Sequence, residues 1–205
     1  MGVLAQGVPM AGRDAEGTKV NAAGQRWAPL PYPLVLASRS PQRRAILEQL
    51  GVPFEVRPAD VDELAQGDPH VVALENARRK HAAIDGEHVL AVDTLVALDG
   101  AIYGKPRDEP HARATLRALS GRTHDVISGL VLDDHATIAV TKVAFREVDD
   151  ALLDWYLASG EWRDRAGGYA IQGRGAALVE AIEGDYLNVV GLPVAALLDL
   201  LDASR

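Results

Sequence analysis

Along this chain, short apolar runs bounded by turn residues alternate with stretches whose apolar positions recur every three to four residues. The two patterns predict strands and helices in alternation. Residues 34–37 read as a buried strand, and Ala45, Ile46, Leu47 and Leu50 as one face of a helix that Gly51 stops. Ser40 is then the N-cap and Pro41 the first helical residue, where proline's missing N–H costs nothing. Residues 54–61 predict a second strand, and Pro69 opens a helix to about Ile84. Residues 89–98 form a strongly apolar strand, Asp99-Gly100 signals a hairpin, and residues 101–103 return. A helix over 108–119, strands over 123–132 and 138–148, and a helix from Asp149 or Asp150 to about Ala158 follow. Residues 163–175 form a glycine-rich loop, 176–181 and 187–190 read as short strands, and Pro193 opens a last helix through Leu201. The sum is an α/β fold with a mixed sheet. Residues 1–30, rich in Gly and Ala and without periodicity, predict a flexible N-terminal extension ahead of one domain over 31–205.

Composition narrows the function. The 205 residues are 48% hydrophobic, enough for one domain with a substantial core and room for two lobes. No apolar run approaches the roughly 20 residues that span a bilayer, and the N-terminus lacks a basic start followed by a hydrophobic segment. A cytoplasmic protein with no membrane partner is expected. Having no cysteine, the chain has no disulfide, thiol nucleophile or thiolate metal site. A net charge of -8 argues against polymeric nucleic acid or anionic membrane as the main partner, while a small anion in a local basic pocket remains allowed. No GxxxxGK[ST] sequence supports a P-loop mechanism, and the six histidines show no HExxH-like zinc spacing.

Residues that carry chemistry stand out against the apolar pattern. Ser38 and Ser40 sit where a strand turns into a helix whose free N–H groups and dipole attract anions. Arg43 falls on the same helical side as Ile46, Leu47 and Leu50, and its planar fork suits phosphate oxygens, although a capped helix with solvated arginines has the same local sequence. Lys80 lies in the stripe of Ala73, Ala77 and Ile84 and leans inward, either to a ligand or by snorkelling. Asp93 interrupts a strand that is otherwise apolar on both faces. It is either satisfied structurally by backbone N–H groups or held as a general base or metal ligand. Glu63 closes an acidic cluster with Asp60 and Asp62, which reads as a solvated loop or as oxygen ligands for magnesium or manganese. A strict two-residue hairpin places Lys105 opposite Thr94, on the other face from Asp93, unless a bulge intervenes or Lys105 lies past the strand end. Gln172, in the glycine-rich loop, can both donate to and accept from a base edge.

Taken in order, these segments resemble the Maf family of nucleoside triphosphate pyrophosphatases, historically called septum formation inhibitors. The resemblance runs from about Leu34 to Leu200. Its carriers are Ala-Ser-Arg-Ser-Pro-Gln-Arg-Arg at 37–44, Asp-Val-Asp-Glu at 60–63, Ala-Arg-Arg-Lys at 77–80, Val-Asp-Thr at 92–94, Gly-Lys-Pro at 104–106, Ser-Gly-Arg-Thr-His at 120–124, Tyr-Ala-Ile-Gln-Gly at 169–173 and Val-Val-Gly-Leu-Pro at 189–193. It implies an elongated mixed sheet flanked by helices, two lobes around a central cleft as in inosine triphosphatases, and a homodimer. It also implies cleavage of a nucleoside triphosphate to the monophosphate and pyrophosphate. Ser38, Ser40, Arg43, Lys80 and Lys105 would then hold the triphosphate, and Glu63 and Asp93 would serve a divalent Mg2+ or Mn2+ and the attacking water, with Asp93 as base. Thr94 and Gln172 look like the branch acting on dTTP and UTP. Gln42 departs from it, standing where that branch carries arginine and the 7-methyl-GTP branch carries tryptophan. A pyrimidine substrate and clearance of non-canonical nucleotides are therefore expected. The alternatives are a 7-methyl-GTP or other purine pyrophosphatase, or a non-catalytic nucleotide-binding regulator of septum formation.

Overall fold

The computed structural model describes residues 32–204 together with two short strands, β1 (Gly12–Arg13) and β2 (Lys19–Val20), which pair antiparallel. The rest of the predicted extension lies outside the described residues. The domain is built on one mixed seven-stranded sheet in the order β4-β3-β5-β7-β8-β9, with β6 paired to β5. Its strands are β3 (Leu34–Leu36), β4 (Phe54–Val56), β5 (Val89–Leu98), β6 (Ala101–Tyr103), β7 (Thr123–Leu132), β8 (His135–Phe145) and β9 (Val179–Glu183). The helices are α1 (Pro41–Gln49), α2 (Pro69–Ala82), α3 (Glu109–Leu119), α4 (Asp150–Leu157), α5 (Tyr186–Val190) and α6 (Val194–Ala203). β3 runs parallel to β4 and β5, and all other pairs are antiparallel. The predicted α/β class with a mixed, helix-flanked sheet is what forms.

β5 organises the molecule. β7 occupies one of its edges from Leu90 to Ala97. The other edge is divided: β3 pairs with it only at Val89 and Leu90, and β6 only from Val96 to Leu98. Between them, residues 91–95 have no strand partner on that side, and the sheet is notched there. The core divides at the same level. On the even face, Leu90 and Val92 join a cluster with Leu36, Leu47, Leu130 and Leu201 under α1 and α6. Val96 and Leu98 join a second cluster with Leu116, Val126, Phe145 and Tyr156 under α3 and α4. Thr94 lies between them, and Ser128, its partner on β7, lies between Val126 and Leu130. On the odd face, Ala91 and Leu95 belong to separate clusters with Asp93 between. Two apolar halves meeting at a polar waist are the physical content of the expected two lobes.

α2 covers the odd face, and one glycine sets how closely. Gly129 pairs with Asp93 across the β5–β7 ladder, and a Cβ there would lie 2.4 Å from the carbonyl oxygen of Ala73. The helix backbone therefore rests directly on the strand, which brings its inward side chains down to β5.

Several expected boundaries move. Residues 54–61 are strand only to Val56, and the remainder joins the loop that leads to α2. The predicted strand at 138–148 begins earlier, at His135, because Asp133 (φ 49°) turns the chain directly out of β7. Residues 174–178 form a 3-10 helix before β9. The expected strand over 187–190 is instead the short helix α5. Asp185 caps it, accepting from Leu187 N–H at 2.7 Å, and the buried Asn188 pins it by donating to Val126 O and Thr141 Oγ1, both at 3.0 Å. Tertiary anchoring overrides the β-propensity of the Val-Val pair.

Substituting Gly129 with alanine is expected to destabilise the fold by about 3 kcal/mol, because backbone rather than a movable side chain blocks the new methyl. Urea unfolding of both proteins measures this, and a loss under about 1 kcal/mol would show that α2 shifts freely.

Candidate active site

The notch in the sheet opens into a cleft of about 1340 Å³. One wall is the β3–α1 turn, the loop before α2 and the waist of β5. The opposite wall is the β6–α3 connection and residues 163–169.

At the β3–α1 turn, Ser40 caps α1, its Oγ accepting from Arg43 N–H at 3.4 Å and donating to Gln42 Oε1 at 3.0 Å. Arg43 is buried, as its place among Ile46 and Leu47 required. Its guanidinium is already in use: Nε donates to Gly191 O at 2.9 Å, Nη1 to Ser38 Oγ at 2.8 Å and Nη2 to Thr94 Oγ1 at 3.1 Å. Thr94 Oγ1 in turn meets Ser128 Oγ at 2.8 Å. Burial pulls the Arg43 pKa below its usual value, while the charges of Asp93 and Glu63 oppose that shift. Every acceptor on Arg43 is neutral, so the residue holds its neighbours in place and keeps its charge.

Asp93 is buried and satisfied by side chains, not by the backbone. Its Oδ1 accepts from Lys80 Nζ at 2.5 Å and its Oδ2 from Asn76 Nδ2 at 3.1 Å. Lys80 does not snorkel: the same Nζ lies 2.5 Å from Glu63 Oε1, so one buried ammonium bridges two carboxylates. Glu63 reaches it because α2 fastens the preceding loop. Leu64 N–H donates to Asn76 Oδ1 at 2.7 Å, Asn76 Nδ2 to Leu64 O at 3.0 Å, and Arg79 Nη1 to Asp62 O at 3.2 Å. Asp60 and Asp62 stay outside this bridge, Asp60 facing the exposed Arg39 at 3.7 Å.

On the opposite wall, β6 ends at Tyr103, so Lys105 lies past the strand end, is exposed and lines the cleft. The choice between a bulge and a strand end is thus decided. Gln172 is the departure. It is exposed and not among the cleft-lining residues, so the structure does not bring it to the other candidates. Gln42, Ser38, Ser40, Arg43, Glu63, Lys80, Asp93, Thr94 and Lys105 all meet around the one cleft.

Sequence reasoning passed over Asn76, Arg107, Arg163 and Arg165, which also line it. Asn76 was within reach, since it precedes Lys80 by one helical turn on the inward side. It also passed over the support behind Tyr169. His124, buried at the start of β7, meets the Tyr169 hydroxyl through Nε2 at 2.9 Å, and Phe145 packs edge-on against both rings.

Buried Arg43, Lys80 and Asp93, with the exposed Glu63 beside them, face a second basic wall across an open cleft and define an α/β protein suited to phosphorylated anions. The family model for Maf-like protein matches residues 33–204, and the chain belongs to that family. Among similar curated proteins, the dTTP/UTP pyrophosphatase of Anaeromyxobacter dehalogenans (strain 2CP-C) is 48% identical over 178 residues, covering 82% of this chain and 92% of the relative. Those of Pyrococcus furiosus and Thermus thermophilus are 44% and 46% identical, again over 82% of this chain and over 94% and 93% of the relatives.

Burial lowers the His124 pKa from 6.5 to about 4. Between these values the unfolded chain binds a proton that the folded protein refuses. Stability is therefore full above about pH 6.5 and falls by about 3 kcal/mol as pH drops to about 4. Urea unfolding across this range should show that loss, and His124→Gln should flatten it; an equal slope in the variant would assign the acid sensitivity elsewhere.

Proposed function

We propose that this protein hydrolyses dTTP and UTP between the α and β phosphates, releasing the nucleoside monophosphate and pyrophosphate. The observation that carries the reading is the pairing of Asp93 and Glu63 around Lys80, next to Arg43, in a cleft whose family relatives bear the name dTTP/UTP pyrophosphatase. Ser38, Ser40 and the N-terminus of α1 receive phosphate oxygens, and Arg43 holds Ser38 and Thr94 in register while adding its charge. Water attacks the α phosphorus and passes its proton to Asp93, the Pα–O–Pβ bond breaks, and the bridging oxygen leaves with the pyrophosphate. Lys105, on the opposite wall, faces the charge that develops on the leaving group.

A divalent cation, Mg2+ or Mn2+, suits this donor set. Glu63 and Asp93 both lie within 2.5 Å of one ammonium nitrogen and so converge on a common region, and such ions take one or two carboxylates together with phosphate oxygens. Glu63 and Asp93 would hold it, and when bound it supplies positive charge at the phosphates. Arg43 and Lys80 already offset these two carboxylates, so the cation's charge would add net attraction for a triphosphate. No helix among the described residues is long and apolar enough to cross a membrane. A cytoplasmic homodimer acting on free, partly non-canonical nucleotides completes the proposal.

Purified protein with Mg2+ or Mn2+ and a panel of standard and modified triphosphates tests it, with pyrophosphate and orthophosphate assayed separately. Pyrophosphate from dTTP and UTP is expected; orthophosphate as the first product would overturn the α–β cleavage, and a preference for 7-methyl-GTP would overturn the pyrimidine assignment. Asp93→Asn should keep nucleotide affinity and lose turnover by about a hundredfold or more. Unchanged turnover in that variant would remove Asp93 as the base. Gln42 lines the cleft beside Ser40, so Gln42→Arg should change the order of preferred substrates while leaving cleavage chemistry intact, as a substrate-panel assay reads directly.

A further inference from the structure

The two walls of the cleft treat their cations differently. On the β3–α1 side, Arg43 has three acceptors, Lys80 has two carboxylates, and Arg39 faces Asp60. On the opposite side, Lys105, Arg107, Arg163 and Arg165 all line the cleft, and among the described residues none has a carboxylate within 4 Å. Asp164 lies on that wall as well and pairs with none of them. Nearby arginines outside the cleft are paired: Arg113 with Asp154, Arg117 with Asp150 and Arg122 with Asp99, at 2.5 to 2.6 Å. In a chain with a net charge of -8, carboxylates are not scarce. Their absence from these four cations is a property of this wall.

Arg165 is the one the fold prepares. It is half-buried at the cleft, its Nε is enclosed, and among the described residues no group accepts a hydrogen bond from that Nε, so the guanidinium is held with its donors uncommitted. Its place is fixed by the turn that follows. Residues Ala166–Gly168 form a 3-10 segment in which Gly167 (φ 68°) packs against Val96 and donates its N–H to Gly104 O at 3.2 Å. The next glycine, Gly168, sits against Pro106. The loop carrying Arg165 is thus fastened to the segment Gly104-Lys105-Pro106, which sets the backbones of the two cations side by side.

The geometry points to Arg165 as a further substrate-binding residue that, with Lys105, receives the β and γ phosphates and holds them as the pyrophosphate leaving group. This rests on the cleavage proposed above. Arg43, Lys80 and the β3–α1 turn hold the α phosphate at the point of attack, and the far wall takes the half of the molecule that departs. When the Pα–O–Pβ bond breaks, negative charge collects on the oxygen that leaves with pyrophosphate. A planar guanidinium with unpaired donors can contact two of its oxygens together.

Calorimetric titration of inorganic pyrophosphate, and separately of UMP, into wild type, Arg165→Gln, Arg165→Lys and Arg174→Gln tests the assignment. Arg174 is a control cation, exposed over Trp155 and outside the cleft lining. Arg165→Gln should weaken pyrophosphate by at least about tenfold and leave UMP within about twofold, Arg165→Lys should recover part of the loss, and Arg174→Gln should match wild type. Pyrophosphate inhibition of turnover should weaken in parallel. Wild-type pyrophosphate affinity in Arg165→Gln, equal loss of both ligands in Arg165→Gln and Arg165→Lys, or no pyrophosphate binding by wild type overturns the assignment. These results leave the proposed cleavage standing if wild type still releases pyrophosphate from the triphosphate; orthophosphate as its first product overturns the cleavage itself.

Discussion

The site depends on how one edge of β5 is shared. β3 takes its beginning and β6 its end, and the stretch between them is left open. Adjacent residues of a strand point to opposite faces, so Asp93 and Thr94 would be separated by the full thickness of an unbroken sheet. At the notch both faces reach the same cavity. The carboxylate held by α2 from one face and the hydroxyl held by Arg43 from the other can therefore serve one ligand. The same notch is where the apolar core divides, because Asp93 and Thr94, which line the cleft, interrupt the apolar clusters on both faces of the strand.

Three contacts from distant parts of the chain complete the waist. Gly129 lets α2 descend until Asn76 and Lys80 touch Asp93. Asn76 then holds the loop that presents Glu63. Arg43 binds the carbonyl of Gly191, which follows α5, so the turn after β3 is tied to a segment 148 residues later. Asn76 and Arg43 are buried polar groups whose partners are satisfied, and such networks specify one arrangement because any alternative strands a donor or a charge.

Much of this was legible in the chain. The apolar run at 89–98 and the hairpin after it fell at their true boundaries, since a buried strand bounded by Asp-Gly has few other readings. The inward lean of Arg43 and Lys80 followed from helical periodicity alone. What periodicity could not supply was the partner of each charge. Whether Lys80 snorkels or pairs depends on how near α2 lies to β5, and that is set by a glycine on β7. For Lys105 the sequence left a bulge or a position past the strand end, and β6 ending at Tyr103 beside the notch decides for the second. Residues 187–190 were misread because their helix is fixed by Asp185 and Asn188 through contacts that span the fold. Gln172 was misplaced for a related reason. A glycine-rich loop permits close approach to a ligand, but composition does not say which of its residues faces one: Arg163, Arg165 and Tyr169 line the cleft and Gln172 is exposed outside it.

Charge at the waist is balanced before any ligand arrives: Arg43 and Lys80 offset Asp93 and Glu63. Balance of this kind makes burial tolerable, since an unpaired buried charge would cost several kcal/mol by itself. It also means that these four residues together offer little net attraction to a polyanion. The positive field has to come from elsewhere: from the cations of the opposite wall, which have no carboxylate within 4 Å among the described residues, and from the divalent cation where the proposed one binds. Lys105, Arg107 and Arg163 are exposed at the cleft, while Arg165 is half-buried with its Nε enclosed. The fold thus separates two tasks that one cluster of residues could not perform together. The waist keeps its geometry through neutrality, and the opposite wall supplies attraction through cations that have no carboxylate partner among the described residues.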